Sequence, residues 1–229
     1  MIKAVIFDVD GTLVDSNDFH VKAWQRAFRH YGKELGYDEL HSQIGKGGDQ
    51  LLPVFCSPHE LESYGAALEQ LRGEMFARDY LPIVQPFPHV RSLFERIKAD
   101  GMRIALASSA KEEELEQHKK TLKVESLIDA TTSADDVERS KPKPDIFQAV
   151  LAKLGDVRSN EAIVVGDTPY DALAARRAGM AAIGVLSGGF SIETLHAENV
   201  IALYRDVADL LAHYAGSPLA RKQWATPNP

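Results

Sequence analysis

The sequence predicts an α/β protein: a Rossmann-like parallel sheet core with helices on both faces, carrying a small all-helical cap. Three observations predict this. Short apolar runs rich in β-favouring residues alternate along the chain with stretches of helical period, the pattern of a covered parallel sheet. About 65 residues after the first such run are wholly helical in pattern, longer than a βαβ crossover needs. Acids, hydroxyls and a lysine fall just beyond strand ends, where open α/β sheets gather their ligands.

The elements follow in order. Ala4 to Phe7 is a buried strand. Phe19, Ala23, Trp24, Ala27, Phe28 and Tyr31 recur at helical spacing, with Ser16 or Asn17 as cap and Gly32 as stop. Residues 38–44 and Leu51 to Phe55 are short helices, separated by the flexible glycine loop Gly45-Lys46-Gly47-Gly48. Leu61, Tyr64, Leu68, Leu71, Met75 and Phe76 mark a long helix over 59–80. Pro82, Pro86 and Pro88 punctuate the return to the sheet. Residues 81–88 and Leu13–Ser16 are therefore the two hinge candidates. The domains read as 1–15 plus 82–229 for the core and 16–81 for the cap.

Beyond the cap the alternation is regular. A helix holds Val90, Leu93, Phe94 and Ile97, and Arg103 to Ala107 is a strand. Glu112 to Leu122 is a charged helix, Ile128 to Thr132 a short strand, and Pro144 to Leu154 a helix. Strands at Ala162–Val165, Ala181–Leu186 and Val200–Leu203 alternate with helices at Tyr170–Ala178 and Val207–Tyr214. The tail from Gly216 to Pro229 has no readable period and is expected to be extended or loosely docked.

With 229 residues the chain can bury a sizeable core. Its formal net charge of −7 argues against a nucleic-acid surface. One cysteine, Cys56, cannot close an intrachain disulfide, which points to a reducing compartment. No apolar run approaches a membrane span, and the first residues lack a signal-peptide pattern. The expectation is a cytoplasmic monomer or weak homodimer with no membrane or nucleic-acid partner.

The chemistry begins at Asp8-Val9-Asp10-Gly11-Thr12. Two acids at the tip of a buried strand repel by roughly 4 kcal/mol at about 4 Å and an effective dielectric of 20. A divalent cation is the simplest offset; the alternative is a solvated Asp-Gly turn. Three further signals fall at comparable positions. Ser108-Ser109 follows a strand, as does Gly166-Asp167-Thr168-Pro169-Tyr170-Asp171, while Ser140-Lys141-Pro142-Lys143-Pro144-Asp145 precedes a helix. Pro142 and Pro144 are expected to hold the approach extended and fix the direction of Lys141. Together these supply acids for a metal, donors for oxyanions and one positioned cation, the requirements of phosphoryl transfer.

These motifs, in this order, resemble the four motifs of the haloacid dehalogenase superfamily over roughly residues 1–213, and the helical insert resembles that superfamily's C1 cap. The resemblance implies a Mg²⁺-dependent phosphatase acting on a small phosphorylated metabolite, in the manner of phosphoglycolate phosphatase. Asp8 would be the nucleophile and Asp10 the general acid and base. Ser108, Lys141 and the amide of Ser109 would hold the phosphoryl oxygens. Asp8, Asp167 and the backbone carbonyl of Asp10 would bind the metal, with Asp171 behind them orienting a metal water or Lys141. Lys46 in the cap loop is a candidate for substrate contact.

The runner-up is a β-phosphoglucomutase-like mutase. His20 fits its His-x-x-Ala-Trp pattern and Lys111 its Ser-x-x-Lys pattern. Glu112 stands where that pattern expects Asn, and the cap loop lacks the expected arginine. A non-catalytic binding protein would not need a nucleophile, an acid/base and metal residues together.

Overall fold

The structure is a computed structural model that describes residues 1–220. Its strands are β1 (Ala4–Phe7), β2 (Val14–Asp15), β3 (Gln85–Pro86), β4 (Arg103–Ala107), β5 (Ala130–Thr132), β6 (Ala162–Gly166), β7 (Ala181–Val185) and β8 (Ala202–Tyr204). Six of them form one parallel sheet in the order β5-β4-β1-β6-β7-β8. β1 lies between β4 and β6, with Phe7 in register with Leu106 and Val165. That register sets the ends of three strands side by side.

The helical insert contains α1 (Asn17–His30), α2 (Tyr37–His41), α3 (Gly48–Phe55), α4 (Pro58–Glu60) and α5 (Ala66–Asp79). The expected helix over 59–80 is interrupted by a π-helical turn at Leu61–Gly65. Val21, Trp24, Phe28, Leu40, Leu51 and Leu68 form a buried cluster within this insert, separate from the clusters on the sheet. Both passages between insert and sheet run through one feature the sequence reading missed. β2 and β3 pair antiparallel, with Val14 opposite Pro86. Two-residue strands carry too little periodicity to be read in advance.

The remaining helices are α6 (Val90–Ala99), α7 (Glu112–Leu122), α8 (Asp145–Leu154), α9 (Pro169–Arg177), α10 (Ile192–Ala197) and α11 (Val207–Ala212). α10 was not anticipated; it is six residues long and opens on Ser191, whose hydroxyl accepts from the Thr194 amide. Within the tail, residues 216–220 dock rather than trail: Pro218 and Leu219 are buried, and the Ser217 hydroxyl donates to the Tyr214 carbonyl. Residues 221–229 of that tail lie outside the described residues.

The two faces of the sheet differ in chemistry. Val5, Phe7, Ile104, Leu106, Ile163 and Val165 point to one side, against Phe94 and Ile97 of α6 and Leu115 of α7. Ala4, Ala105, Ala107, Ala162 and Ala182 point to the other, against Phe147 and Val150 of α8 and Ala174 of α9. Small residues on the second face let those helices pack close to the strands. Ala105, fully buried there, has no room for a longer side chain. Ala105→Leu is expected to cost about 1–3 kcal/mol through overpacking. Urea unfolding checks this, and an unchanged midpoint would show that the alanine face is not tightly packed.

Candidate active site

The strand register brings the sequence motifs together. Asp8 follows β1 directly, and its amide donates to the Val165 carbonyl of β6 at 2.9 Å. Asp167 follows β6, and Ser108 follows β4, its amide bound to the Thr132 carbonyl at 3.0 Å. Lys141 enters from the segment before α8 and is wholly buried. Its ammonium donates to Asp8 and to the Ala107 carbonyl at 2.9 Å, and pairs with Asp171 at 2.8 Å. The approach to Lys141 is not extended as expected: the Lys141–Pro142 peptide is cis, and Pro144 has helical dihedrals as it caps α8.

Two buried acids, Asp8 and Asp171, share this one lysine, and a third, Asp167, lies close to them. Burial, then the charge of Asp171, pushes the Asp8 carboxyl up, against the opposing pull of Lys141. Burial and Asp171 push Asp167 up to about 7, although hydrogen bonds from Thr12 and Asn17 oppose the shift. Burial disfavours the Lys141 ammonium, but Asp171 and Asp8 outweigh it and raise its pKa. Asp171 also closes the start of α9, accepting from the Thr168 amide and hydroxyl. The structural and the electrostatic readings of Asp171 therefore hold together.

Asp167 is gripped from several sides. Thr12 Oγ1 donates to it at 2.7 Å and Asn17 Nδ2 at 2.9 Å. A Cβ at Gly11 would lie 2.3 Å from Asp167 Oδ2, and one at Gly188 would lie 1.7 Å away. Gly11 also sits at φ +74°, so both space and backbone require glycine there.

Asp10 occupies a different environment. Its Oδ1 accepts from Ser16 at 2.6 Å, meets His20 Nε2 at 2.9 Å and lies 3.5 Å from His118 Nε2. Burial would raise the Asp10 carboxyl, but the two histidines hold it well below the ordinary range. The Ser16 side chain therefore does not cap α1, the role the sequence suggested; it turns to Asp10 instead.

The insert closes over these groups. Ser109 Oγ donates to the Gly45 carbonyl at 3.1 Å, and the Gly47 amide donates to Ser140 Oγ at 2.9 Å. The Ser140 amide donates to Asp49 at 3.1 Å. The glycine loop, expected to be flexible, is pinned to the core in this closed form. Lys46 donates to Gln43 and lies 4.6 Å above the Tyr170 ring, and burial lowers its pKa. Asp8, Asp10, His20, Trp24, Lys46, Arg72 and Ser109 line one cleft, whose free volume is about 30 Å³. Lys111 and Glu112 are exposed at the start of α7 and do not line it.

Sequence reasoning missed Arg72, Glu114 and His118. The signal was available. Arg72 falls between Leu68 and Phe76 at four-residue spacing, so it shares their buried face. His118 falls between Leu115 and Leu122 on the buried stripe of α7 in the same way. A polar residue on an apolar stripe marks a helix face that meets something other than core.

Fold and site together define an α/β protein with a helical unit over an acidic centre. The chain belongs to the haloacid dehalogenase-like hydrolase family, whose model matches residues 5–185. It is 31% identical over 214 residues to a phosphoglycolate phosphatase of Yersinia pestis, covering 90% of this chain and 91% of that one. It is 30% identical over 180 residues to a phosphorylated carbohydrates phosphatase of Thermotoga maritima, covering 78% and 82%. A crystal structure of a hydrolase from Pseudomonas syringae superposes with a TM-score of 0.86 at 29% identity, covering 94% and 99%. Among the described residues no helix is long and apolar enough to cross a membrane.

The family generally uses a divalent metal, and the residues present fit one. Carboxylate oxygens of Asp8, Asp167 and Asp171 all lie within 4.8 Å of one another, with Lys141 paired to Asp8 and Asp171. A second cation offsets the surplus negative charge, and an all-oxygen donor set suits a hard one. The raised Asp167 carboxyl gives this a pH signature. A group whose folded pKa is raised stabilises the fold below its unfolded value, about 4, and that contribution is lost as pH rises through about 7. Metal binding needs the ionised form and has the opposite sense. The rise in Tm on adding Mg²⁺ to EDTA-treated protein is therefore expected to be small near pH 5 and to grow to a plateau above about 7. A Tm shift that does not change across this window would contradict the assignment.

Proposed function

We propose that this protein is a Mg²⁺-dependent phosphatase that hydrolyses a small phosphomonoester through a phospho-aspartate on Asp8. The observation that carries the reading is the buried Lys141 ammonium, fixed between Asp8 and Asp171 at the tip of the central strand. It stands beside the one carboxylate that both ends a strand and lines the cleft. The relatives named as phosphatases of phosphoglycolate and of phosphorylated carbohydrates support a small phosphorylated metabolite as substrate.

The chemistry runs in two displacements. Asp8 attacks phosphorus, and the leaving oxygen takes a proton from Asp10. Water then attacks the phospho-aspartate, gives a proton to Asp10, and releases phosphate while restoring Asp8. Ser108, the Ser109 amide and Lys141 hold the phosphoryl oxygens. Bound Mg²⁺, held by Asp8, Asp167 and the Asp10 carbonyl, would supply charge neutralisation. The pull of the histidines leaves Asp10 ionised at rest, and the nearby proton sits on His118. Burial favours the neutral His118 ring, but the neighbouring carboxylates of Asp10 and Glu114 push it up to about 10. Asp10 thus has a proton donor at its side for the first step.

Residues 16–81 act as the cap and 1–15 with 82–220 as the core. A cleft of about 30 Å³ cannot hold a metabolite, so substrate enters when the cap lifts. The β2–β3 ribbon carries both crossings and is the hinge. The proposed setting is the cytoplasm, with the protein working as a monomer or weak homodimer.

The first test is phosphate release from a panel of phosphomonoesters. Asp8→Asn is expected to abolish turnover with the fold intact, and EDTA to abolish it in the wild type. Turnover by Asp8→Asn would end the reading. Incubation with β-glucose 1-phosphate separates the mutase alternative, since Arg72 and Lys46 are also suited to a second phosphate; free phosphate, not glucose 6-phosphate, is the expected product.

The cap also implies a substrate class. Arg72 Cζ lies 5.1 Å from the Trp24 ring centre and its closest carboxylate partner, Glu114, is 4.0 Å away. With Lys46 it sets two cations opposite the phosphoryl site, suited to a phosphomonoester bearing a second anionic group. Arg72→Ala should raise KM about tenfold or more for such a substrate and far less for p-nitrophenyl phosphate. Equal changes for both would remove Arg72 from substrate recognition.

A further inference from the structure

Behind Asp10 lies a second cluster of a different character from the all-oxygen one. His20 comes from α1 on the cap side, Glu114 and His118 from α7 on the core side. His20 Nε2 is 2.9 Å from Asp10 Oδ1 and 3.8 Å from Glu114 Oε1. His118 Nε2 is 3.5 Å from the same Asp10 oxygen and 3.9 Å from the same Glu114 oxygen. Asp10, His20 and Glu114 offer ligand atoms all within 4.8 Å of one another, and His118 Nε2 lies within 3.9 Å of the two carboxylates. Tetrahedral zinc with bonds of about 2.0–2.2 Å sets its donors about 3.3–3.5 Å apart. The Asp10–His20 and His20–Glu114 separations, 2.9 and 3.8 Å, lie on either side of that spacing.

Two further facts point to a ligand. His118 is wholly buried, and neither of its ring nitrogens has a hydrogen bond of good geometry. Glu114 Oε1 is likewise without one, because Arg72 approaches the other oxygen of that carboxylate. Two imidazoles and two carboxylates suit a borderline metal, whereas Mg²⁺ prefers oxygen alone.

We propose that Asp10, His20 and Glu114, with His118 beside the two carboxylates, form a binding site for Zn²⁺ or a similar transition metal, distinct from the Asp8–Asp167–Asp171 cluster and bridging cap to core. Occupancy ties α1 to α7 and takes the Asp10 carboxylate out of use. Neither histidine has a hydrogen-bond partner for its Nδ1, so the site lacks the outer support that strengthens metal binding. Its binding does not depend on the phosphatase reading; only the accompanying inhibition does.

The test uses the whole protein in a Cys56→Ser background, which removes its one thiol, with saturating Mg²⁺ present throughout. Calorimetry with Zn²⁺ should show one site, and Co²⁺ should give the absorption bands of a tetrahedral complex that Zn²⁺ displaces. His118→Gln and Glu114→Gln should each weaken Zn²⁺ binding about tenfold or more, while Asp167→Asn retains it. Glu114→Gln keeps shape at a partly exposed position, so it serves if His118→Gln fails to fold. Absence of Zn²⁺ binding, or binding lost in Asp167→Asn and kept in Glu114→Gln, overturns the proposal. A phosphatase assay that fails while the Co²⁺ spectrum appears would strike the function of the chain and leave this site standing.

Discussion

A single ammonium organises the centre of this molecule. Lys141 is wholly buried, and a buried charge is tolerable only with partners of opposite sign. Asp8, Asp171 and the Ala107 carbonyl supply them. Each partner is fixed by an element of regular structure: Asp8 by β1, Ala107 by β4, Asp171 by the opening of α9. The lysine therefore holds three strand or helix ends at one point. The same arrangement places more acid than base in a dry site, which creates the demand for a further cation. Structure and chemistry here rest on one imbalance of charge.

Asp10, one residue beyond Val9, lives under the opposite rule. Asp8 is surrounded by acids and pushed up; Asp10 is surrounded by histidines and held down. Two carboxylates so near in sequence are driven apart by their neighbours, the condition for dividing nucleophile from proton carrier. Strand alternation would put positions 8 and 10 on one side; they diverge because β1 ends at Phe7 and the chain turns from Gly11 onward. One acid faces the sheet tips and the other faces the cap.

Much of the core was legible because its signals are local. Apolar runs and helical spacing set the strands and helices, and strand-end polarity marked Asp8, Ser108 and Asp167. What escaped was relational. Ser16 reads as a helix cap until Asp10 is found within its reach. Arg72 and His118 occupy core-facing positions whose partners lie far away in sequence, so only the fold shows what they meet. The ribbon of β2 and β3 joins segments about seventy residues apart, and no local period announces such a pairing. The acids and hydroxyl gathered at the strand ends could be read from pattern; what meets at the interface between insert and sheet needed the fold.

Ser140 is the direct neighbour of Lys141, and its amide and hydroxyl are both held by the insert, through Asp49 and the Gly47 amide. The residue that reports where the insert sits is thus covalently next to the central cation. A protein engineer exchanging this insert for another to change substrate would also be changing the support of Lys141. The transferable unit is the insert together with its Asp49–Ser140 junction, and a graft that ignores the junction would alter the core it was meant to leave untouched.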